Sequence, residues 1–114
     1  MQIPKQAVLL RIFIGEDDKF GSSPLYEAIV LKARESHLAG ATVIRSPMGF
    51  GKSSRLHTSK ILRLSEDLPL IVEIVDSEDN INRFLPIIDE MMMTSGLITL
   101  EKVQVLQYGE KESG

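Results

Sequence analysis

The chain has 114 residues, of which 43% are hydrophobic and 25% are charged, a composition typical of one soluble globular domain with a single core. It has no cysteine, two histidines and a formal charge of −3. These values exclude disulfide scaffolds and thiolate zinc sites, and they argue against a histidine-rich metal site and against bulk attraction to nucleic acid. No run reaches the about 18 apolar residues of a membrane span, and we expect a cytoplasmic protein without an export leader.

The first half of the chain predicts a strand, a helix and a second strand. Residues 7–14 are apolar and β-branched over a strand's length. Ser23 then offers a helix cap, Pro24 suits the first helical position, and Gly40 is expected to close the helix. Residues 41–46 predict the second strand. The apolar residues of the helix fall at helical spacing, at Leu25, Ile29 and Ala33.

The second half predicts a strand, a helix and a strand. Residues 68–76 form the clearest strand of the chain, and Ser77 is a cap for the helix that follows. Pro86 lies inside that helix and predicts either a kink or a later helix start. After Gly96, residues 97–108 predict the last strand. The apolar stripe of the second helix consists of Ile81, Phe84, Leu85, Ile88, Met91 and Met92.

This order of elements predicts one α+β domain, residues 1–114, with a ferredoxin-like βαββαβ sandwich. Two helices are expected to cover one face of a four-stranded antiparallel sheet. Alternate residues of the first strand then face the helices, and the opposite face is also largely apolar. Arg11 and Glu73 are the charged exceptions on that second face, and we expect them to pair. Because so much apolar surface is rarely left bare, the pattern predicts a homo-oligomer.

Charge is distributed unevenly along the chain. No acid lies between Glu35 and Glu66, so this stretch carries +5 and the remainder carries −8. It also contains glycines and hydroxyl side chains, which let a backbone approach phosphate oxygens. Either a solvated basic loop or an anion site fits this composition. The basic residues are Arg45, Lys52, Arg55, Lys60 and Arg63.

Other chemical functions fit the residues less well. Residues 46–53 nearly match the phosphate-binding pattern GxxxxGK[ST], but Ser46 replaces its first glycine and too few residues follow for the required α/β core. An acid or base enzyme would have to use His57, Glu73, Glu66 or Asp67, and no spacing among them marks a nucleophile with its base, so no catalytic residue is assigned. An RNA-binding module of this fold needs aromatic platforms, for which only Phe13 is available.

Residues 41–76 resemble the signature of a conserved, largely uncharacterised prokaryotic family of the PII-like signal-protein superfamily. The most specific matches are Gly49-Phe50-Gly51, His57-Thr58 and residues 64–69. The resemblance implies a trimer of ferredoxin-like subunits that binds an adenine nucleotide, ADP or ATP, in clefts between subunits. It also implies a mobile basic loop at about residues 47–61 that engages a membrane transporter or an enzyme.

By this resemblance, Arg45 and the amides of Gly49 and Gly51 would lie near phosphate, with Phe50 beside the base or at a subunit contact. Lys52 would add positive charge there. A second group would contact the partner protein, namely Arg55, His57 and Lys60. The resemblance implies a nucleotide-responsive signalling protein that is not an enzyme, and the composition leads us to expect no metal site. Two alternatives stay open: a small enzyme on the same fold that uses Glu73 or His57, and an adaptor for a transporter that needs no ligand.

Overall fold

The computed structural model of the chain describes residues 5–46, 49–51, 54–57, 68–92 and 96–109. Its central feature is a four-stranded antiparallel sheet formed by β1 (Gln6–Gly15), β4 (Thr42–Arg45), β7 (Pro69–Asp76) and β8 (Leu97–Gln104). The helices are α1 (Leu25–Glu35) and α2 (Glu78–Met92). The short strands are β2 (Lys19–Phe20), β3 (Ser23–Pro24), β5 (Gly49–Gly51) and β6 (Ser54–His57). Within the described residues, neither helix is long and apolar enough to cross a bilayer.

The order of strands across the sheet is β4-β7-β1-β8, which confirms the predicted ferredoxin-like sandwich. β1 is central and pairs antiparallel with both β7 and β8. β4 lies at the outer side of β7, with Arg45 opposite Leu70. The first and third strands of the predicted pattern are therefore neighbours, and Arg11 lies directly opposite Glu73.

The core lies between the sheet and the two helices. Alternate residues of β1 and β7 are buried, as the period of two in their sequences predicts. The helices contribute the stripes predicted from their spacing, except that Leu85 is only partly buried. Fully buried side chains from the sheet and the helices include Leu10, Ile12, Val72, Ile29, Ile81, Phe84 and Ile88.

The ends of α1 differ from the prediction. Pro24 is the N-cap residue, with φ −58° and ψ 136°, and not the first helical residue. The amide of Leu25 donates to the backbone carbonyl of Asp18 at 2.8 Å, so the chain itself satisfies this helix start without a side-chain cap. The helix ends at Glu35, and the left-handed residue beyond it is His37, with φ 61°, well before Gly40.

The start of α2 agrees with the prediction, because the hydroxyl of Ser77 accepts a 3.1 Å hydrogen bond from the amide of Asn80. The alternative of a later start at Pro86 is wrong, since the helix begins at Glu78 and continues through the proline. The proline removes one backbone donor, but buried residues on both sides of it hold the helix against the sheet.

Gly96 occupies a position that only glycine fits. Its φ is +104°, and a Cβ there would lie 2.0 Å from Met92 Cε and 3.1 Å from the carbonyl oxygen of Phe13. The side chain of Met92 can move, but the backbone of β1 cannot. We therefore expect Gly96→Ala to lower the free energy of unfolding by about 1 to 3 kcal/mol in urea titrations. Gly40→Ala is the matched control, because nothing lies within 4 Å of its Cβ position, and it should leave the midpoint unchanged.

The sheet face turned away from the helices is called the open face. Ala7 is buried on this face, whereas most of its other apolar residues are only partly buried or exposed, among them Leu9, Phe13, Ile44, Ile71, Val75 and Leu97. Near its centre, Arg11 Nε donates to Glu73 Oε2 at 2.9 Å, which confirms the predicted pair, and Arg11 Nη1 also lies 3.3 Å from Glu101 Oε1. The hydrogen bond to Glu73 is the main cause that raises the pKa of Arg11 above its ordinary value. The guanidinium is thus charged at every working pH.

Candidate functional site

At one edge of the sheet, β1 and β4 end and β7 begins. Both β1 and β4 run antiparallel to β7, so they end at the same edge, where Gly15 lies opposite Pro69 and Arg45 lies opposite Leu70. We call this edge the loop end, because the chain leaves it after Ser46 and returns to it at Leu68. The stretch between them, residues 47–67, is called the basic segment.

Backbone hydrogen bonds fix both stems of the basic segment at the loop end. The amide of Glu16 donates to the carbonyl of Leu68 at 2.7 Å, and the amide of Ser46 donates to the carbonyl of Pro69 at 2.9 Å. The returning stem is thus held between the residues that follow β1 and β4.

Part of the basic segment forms a hairpin, which the sequence analysis did not predict. β5 pairs antiparallel with β6, with Gly49 opposite His57 and Gly51 opposite Ser54, and the register shifts between these pairs. β5 also contacts β7. The three residues expected near the nucleotide, Gly49, Phe50 and Gly51, are consecutive on β5.

The other predicted site residues are divided between β6 and undescribed parts of the chain. Arg55 and His57 lie on β6. Lys52 and Lys60 lie outside the described residues, so their predicted roles stay predictions, as does the mobility of residues 47–61.

Arg45, predicted to lie near phosphate, is engaged by an acid that the sequence analysis missed. Its Nη2 donates to Glu16 Oε2, while the arginine side chain is 60% exposed and the glutamate side chain only 18%. The second carboxylate oxygen, Glu16 Oε1, is buried and has no hydrogen-bond partner among the described residues. One signal was available: an acid that follows the first strand must share a sheet edge with a base that ends the second strand.

The turn after β1 holds Glu16 in place. The amide of Gly15 donates to Asp18 Oδ2 at 2.9 Å, and the amide of Asp18 donates back to the carbonyl of Gly15 at 3.2 Å. The carbonyl of Asp18 also accepts the first amide of α1, that of Leu25. The acidic turn is therefore tied to both β1 and α1, which fixes the backbone of Glu16 beside Arg45.

A groove of about 600 Å³ lies at the opposite edge of the sheet, which we call the far end. It is lined by residues 39–42, by Glu73 and Val75, and by residues 103–108, and it contains none of the residues predicted to bind a nucleotide. Glu73, the carboxylate considered as a base, reaches this groove while it is paired with Arg11.

A buried acid accepts several hydrogen bonds at the far end. Asp76 is 1% exposed, and its Oδ2 accepts a 2.8 Å hydrogen bond from the amide of Ala39. Its Oδ1 accepts from the amide of Ser77 at 2.6 Å and from Asn80 Nδ2 at 3.0 Å. The carbonyl of Ala39 in turn accepts from the hydroxyl of Tyr108 at 2.8 Å. These contacts give Asp76 a structural role. In the described part of the chain, no group of three or more His, Cys, Asp or Glu side chains could hold a metal ion.

Solved structures of similar fold come from PII-like proteins. A proposed PII-like signaling protein from Thermus thermophilus superposes with a TM-score of 0.65 at 19% identity, over 92% of this chain and 93% of the other. CPII from Thiomonas intermedia K12, bound to ADP and bicarbonate, superposes with a TM-score of 0.60 at 16% identity, over 90% of each chain. At these identities the likeness establishes the fold.

Proteins known by sequence are more similar to this chain than these solved structures are. A UPF0166 protein of Aquifex aeolicus is 44% identical over 98 residues, which cover 86% of this chain and 91% of that protein. The UPF0166 protein MJ1524 of Methanocaldococcus jannaschii is 37% identical over 100 residues, covering 88% and 92%. The family model DUF190, described as Uncharacterized ACR, COG1993, matches residues 7–105. The chain therefore belongs to the DUF190 family, and its fold is that of the PII-like signalling proteins.

Proposed function

We propose that this protein is a PII-like regulatory protein that binds an adenine nucleotide, ADP or ATP, and presents the basic segment to a partner protein. The observation that carries the proposal is the position of Arg45. It stands where the basic segment leaves the sheet, and the hairpin strand β5, which holds Gly49 and Gly51, contacts β7, the strand that pairs with β4. Arginine and glycine amides together are suited to phosphate, because the guanidinium offers a fork of donors and glycine lets the backbone approach closely.

The solved relatives of similar fold support the choice of ligand. CPII from Thiomonas intermedia K12 was crystallised with ADP and bicarbonate, and also with ADP, AMP and acetate. In the proposed arrangement, Phe50 lies beside the base or at a subunit contact, and Lys52 adds positive charge near the phosphates. Arg55, His57 and Lys60 contact the partner, for which a transporter or an enzyme is the expected class.

The proposed site depends on a homotrimer. The open face is the surface available for this association, because it carries apolar side chains on all four strands of the sheet. Packing of neighbouring copies against this face would create clefts beside the loop end. We propose that the nucleotide occupies these clefts, in a protein that acts in the cytoplasm by binding and not by catalysis.

Calorimetric titration with ADP, ATP and AMP tests the proposed function. We expect binding of at least one of the three, and we expect Arg45→Ala to weaken it by about 10- to 100-fold, the effect of removing a charge-assisted contact to phosphate. Arg34→Ala is the matched control, because Arg34 is exposed on α1 and its loss should leave the affinity unchanged. Absence of both binding heat and thermal stabilisation at millimolar nucleotide would refute the proposal.

A further inference from the structure

We infer that Glu16 determines the anion specificity of the proposed site by competing with phosphate for Arg45. This inference rests on the proposed function, since it concerns the same arginine. It starts from the ion pair at the base of the basic segment, in which Arg45 Nη2 donates to Glu16 Oε2.

The ion pair leaves Arg45 able to bind a second anion. A guanidinium has five N–H donors, the bond to Glu16 comes from Nη2, and the side chain of Arg45 is 60% exposed. The charge of Arg45 is nevertheless compensated by Glu16. An incoming anion therefore meets an arginine whose positive charge is already balanced by a carboxylate at contact distance.

The pair is also an incomplete one. Only Oε2 of Glu16 meets the arginine, while Oε1 is buried without a partner among the described residues. A single contact is weaker than the two parallel bonds of a bidentate pair, and a buried oxygen without a donor is itself unfavourable. Glu16 is therefore a competitor that a stronger ligand can overcome.

Glu16 cannot withdraw far from the site. Its amide is bonded to Leu68, and the turn that carries it is closed by Asp18 and Gly15. With its backbone fixed and its side chain only 18% exposed, Glu16 keeps its negative charge close to Arg45 in this structure. A ligand must outweigh a single fixed charge, so polyphosphates with several charges are accepted and monovalent anions such as chloride are rejected.

Titration of Glu16 variants with ADP and with inorganic pyrophosphate tests this inference. We expect Glu16→Gln, which keeps the size of the side chain, and Glu16→Ala, which also removes the unpartnered oxygen, to bind both ligands about 5- to 10-fold more tightly than the wild type. The gain should vanish when either change is combined with Arg45→Ala, because the competition requires that arginine. Glu90→Gln, an equal change of charge on an exposed turn of α2, should leave both affinities within about twofold.

The outcomes separate this inference from the proposed function. If ADP binds the wild type and both Glu16 variants equally well, the competition is refuted while nucleotide binding stands. If pyrophosphate binds the Glu16 variants more tightly but none of ADP, ATP and AMP binds any form, the competition stands and the nucleotide function is refuted. If neither pyrophosphate nor any of ADP, ATP and AMP binds a form whose thermal unfolding is cooperative, both are refuted.

Discussion

Asp76→Ala is expected to lower the free energy of unfolding by about 3 to 5 kcal/mol, measured by urea titration followed by circular dichroism. The reason is that Asp76, 1% exposed, accepts hydrogen bonds from the amides of Ala39 and Ser77 and from the side chain of Asn80. Without the carboxylate, these three donors lose their acceptor in a largely buried place, and each such loss costs about 1 to 3 kcal/mol before water enters.

Two further variants make this expectation specific. Asp76→Asn keeps one acceptor oxygen but turns an amino group toward a donor, so its destabilisation should fall between the wild type and Asp76→Ala. Asp89→Ala removes a carboxylate from an exposed position of α2 and should change the stability by less than about 0.5 kcal/mol. Equal stability of Asp76→Ala and Asp89→Ala would contradict the structural role of the buried acid.

The second large effect concerns association through the open face. Light scattering of the wild type in dilute buffer without nucleotide is expected to give a trimer, and Ile71→Lys is expected to give a monomer that keeps its circular dichroism spectrum. Ile71 lies on the open face between two apolar neighbours, opposite Phe13 on one side and Ile44 on the other. Loss of one buried isoleucine costs about 1.5 to 3 kcal/mol in each copy, and a lysine in its place must also be desolvated.

Over three copies, this predicts that the dissociation constant of the trimer rises at least about a thousandfold. Leu31→Lys is the matched control, because Leu31 is 58% exposed on α1, away from the open face, and its replacement should leave the trimer intact. A wild type that remains monomeric at all concentrations would remove the clefts on which the proposed nucleotide site depends.

The parts of the fold that were predicted from sequence are those that local periodicity determines. Alternation in β1 and β7 indicated both the strands and the face that each residue occupies, because burial repeats every two residues in a half-buried strand. Ser77 was predicted as a cap because its chemistry acts within one helical turn. The pairing of Arg11 with Glu73 followed once the order of strands was assumed.

The features that were missed depend on contacts between distant parts of the chain. At the start of α1, the first amide donates to the carbonyl of Asp18, so Pro24 is not the first helical residue as local rules predicted. After the end of α1, the amide of Ala39 donates to Asp76, and Gly40 does not close the helix. The β5–β6 hairpin has a shifted register, and its strands are only 3 and 4 residues long, which leaves no periodic signal to detect.

The candidate site shows the same division. Arg45 was singled out because the charge run is local, whereas its partner Glu16 is 29 residues away in sequence. Only the order of strands brings the two together, since β1 and β4 end at one edge although β7 lies between them. Topology, once predicted, can therefore be used to search for opposite charges at the ends of strands that are not neighbours.

The hydrogen bond from the Tyr108 hydroxyl to the carbonyl of Ala39 makes this tyrosine an intrinsic spectroscopic probe of the far end. The sequence contains no tryptophan and two tyrosines, so its near-ultraviolet signal comes mainly from Tyr26 and Tyr108. Tyr26 packs against the core, whereas Tyr108 is 44% exposed and reports on the far end. Replacing either ring with phenylalanine would thus assign absorbance and emission changes to the interior or to that corner without any attached dye.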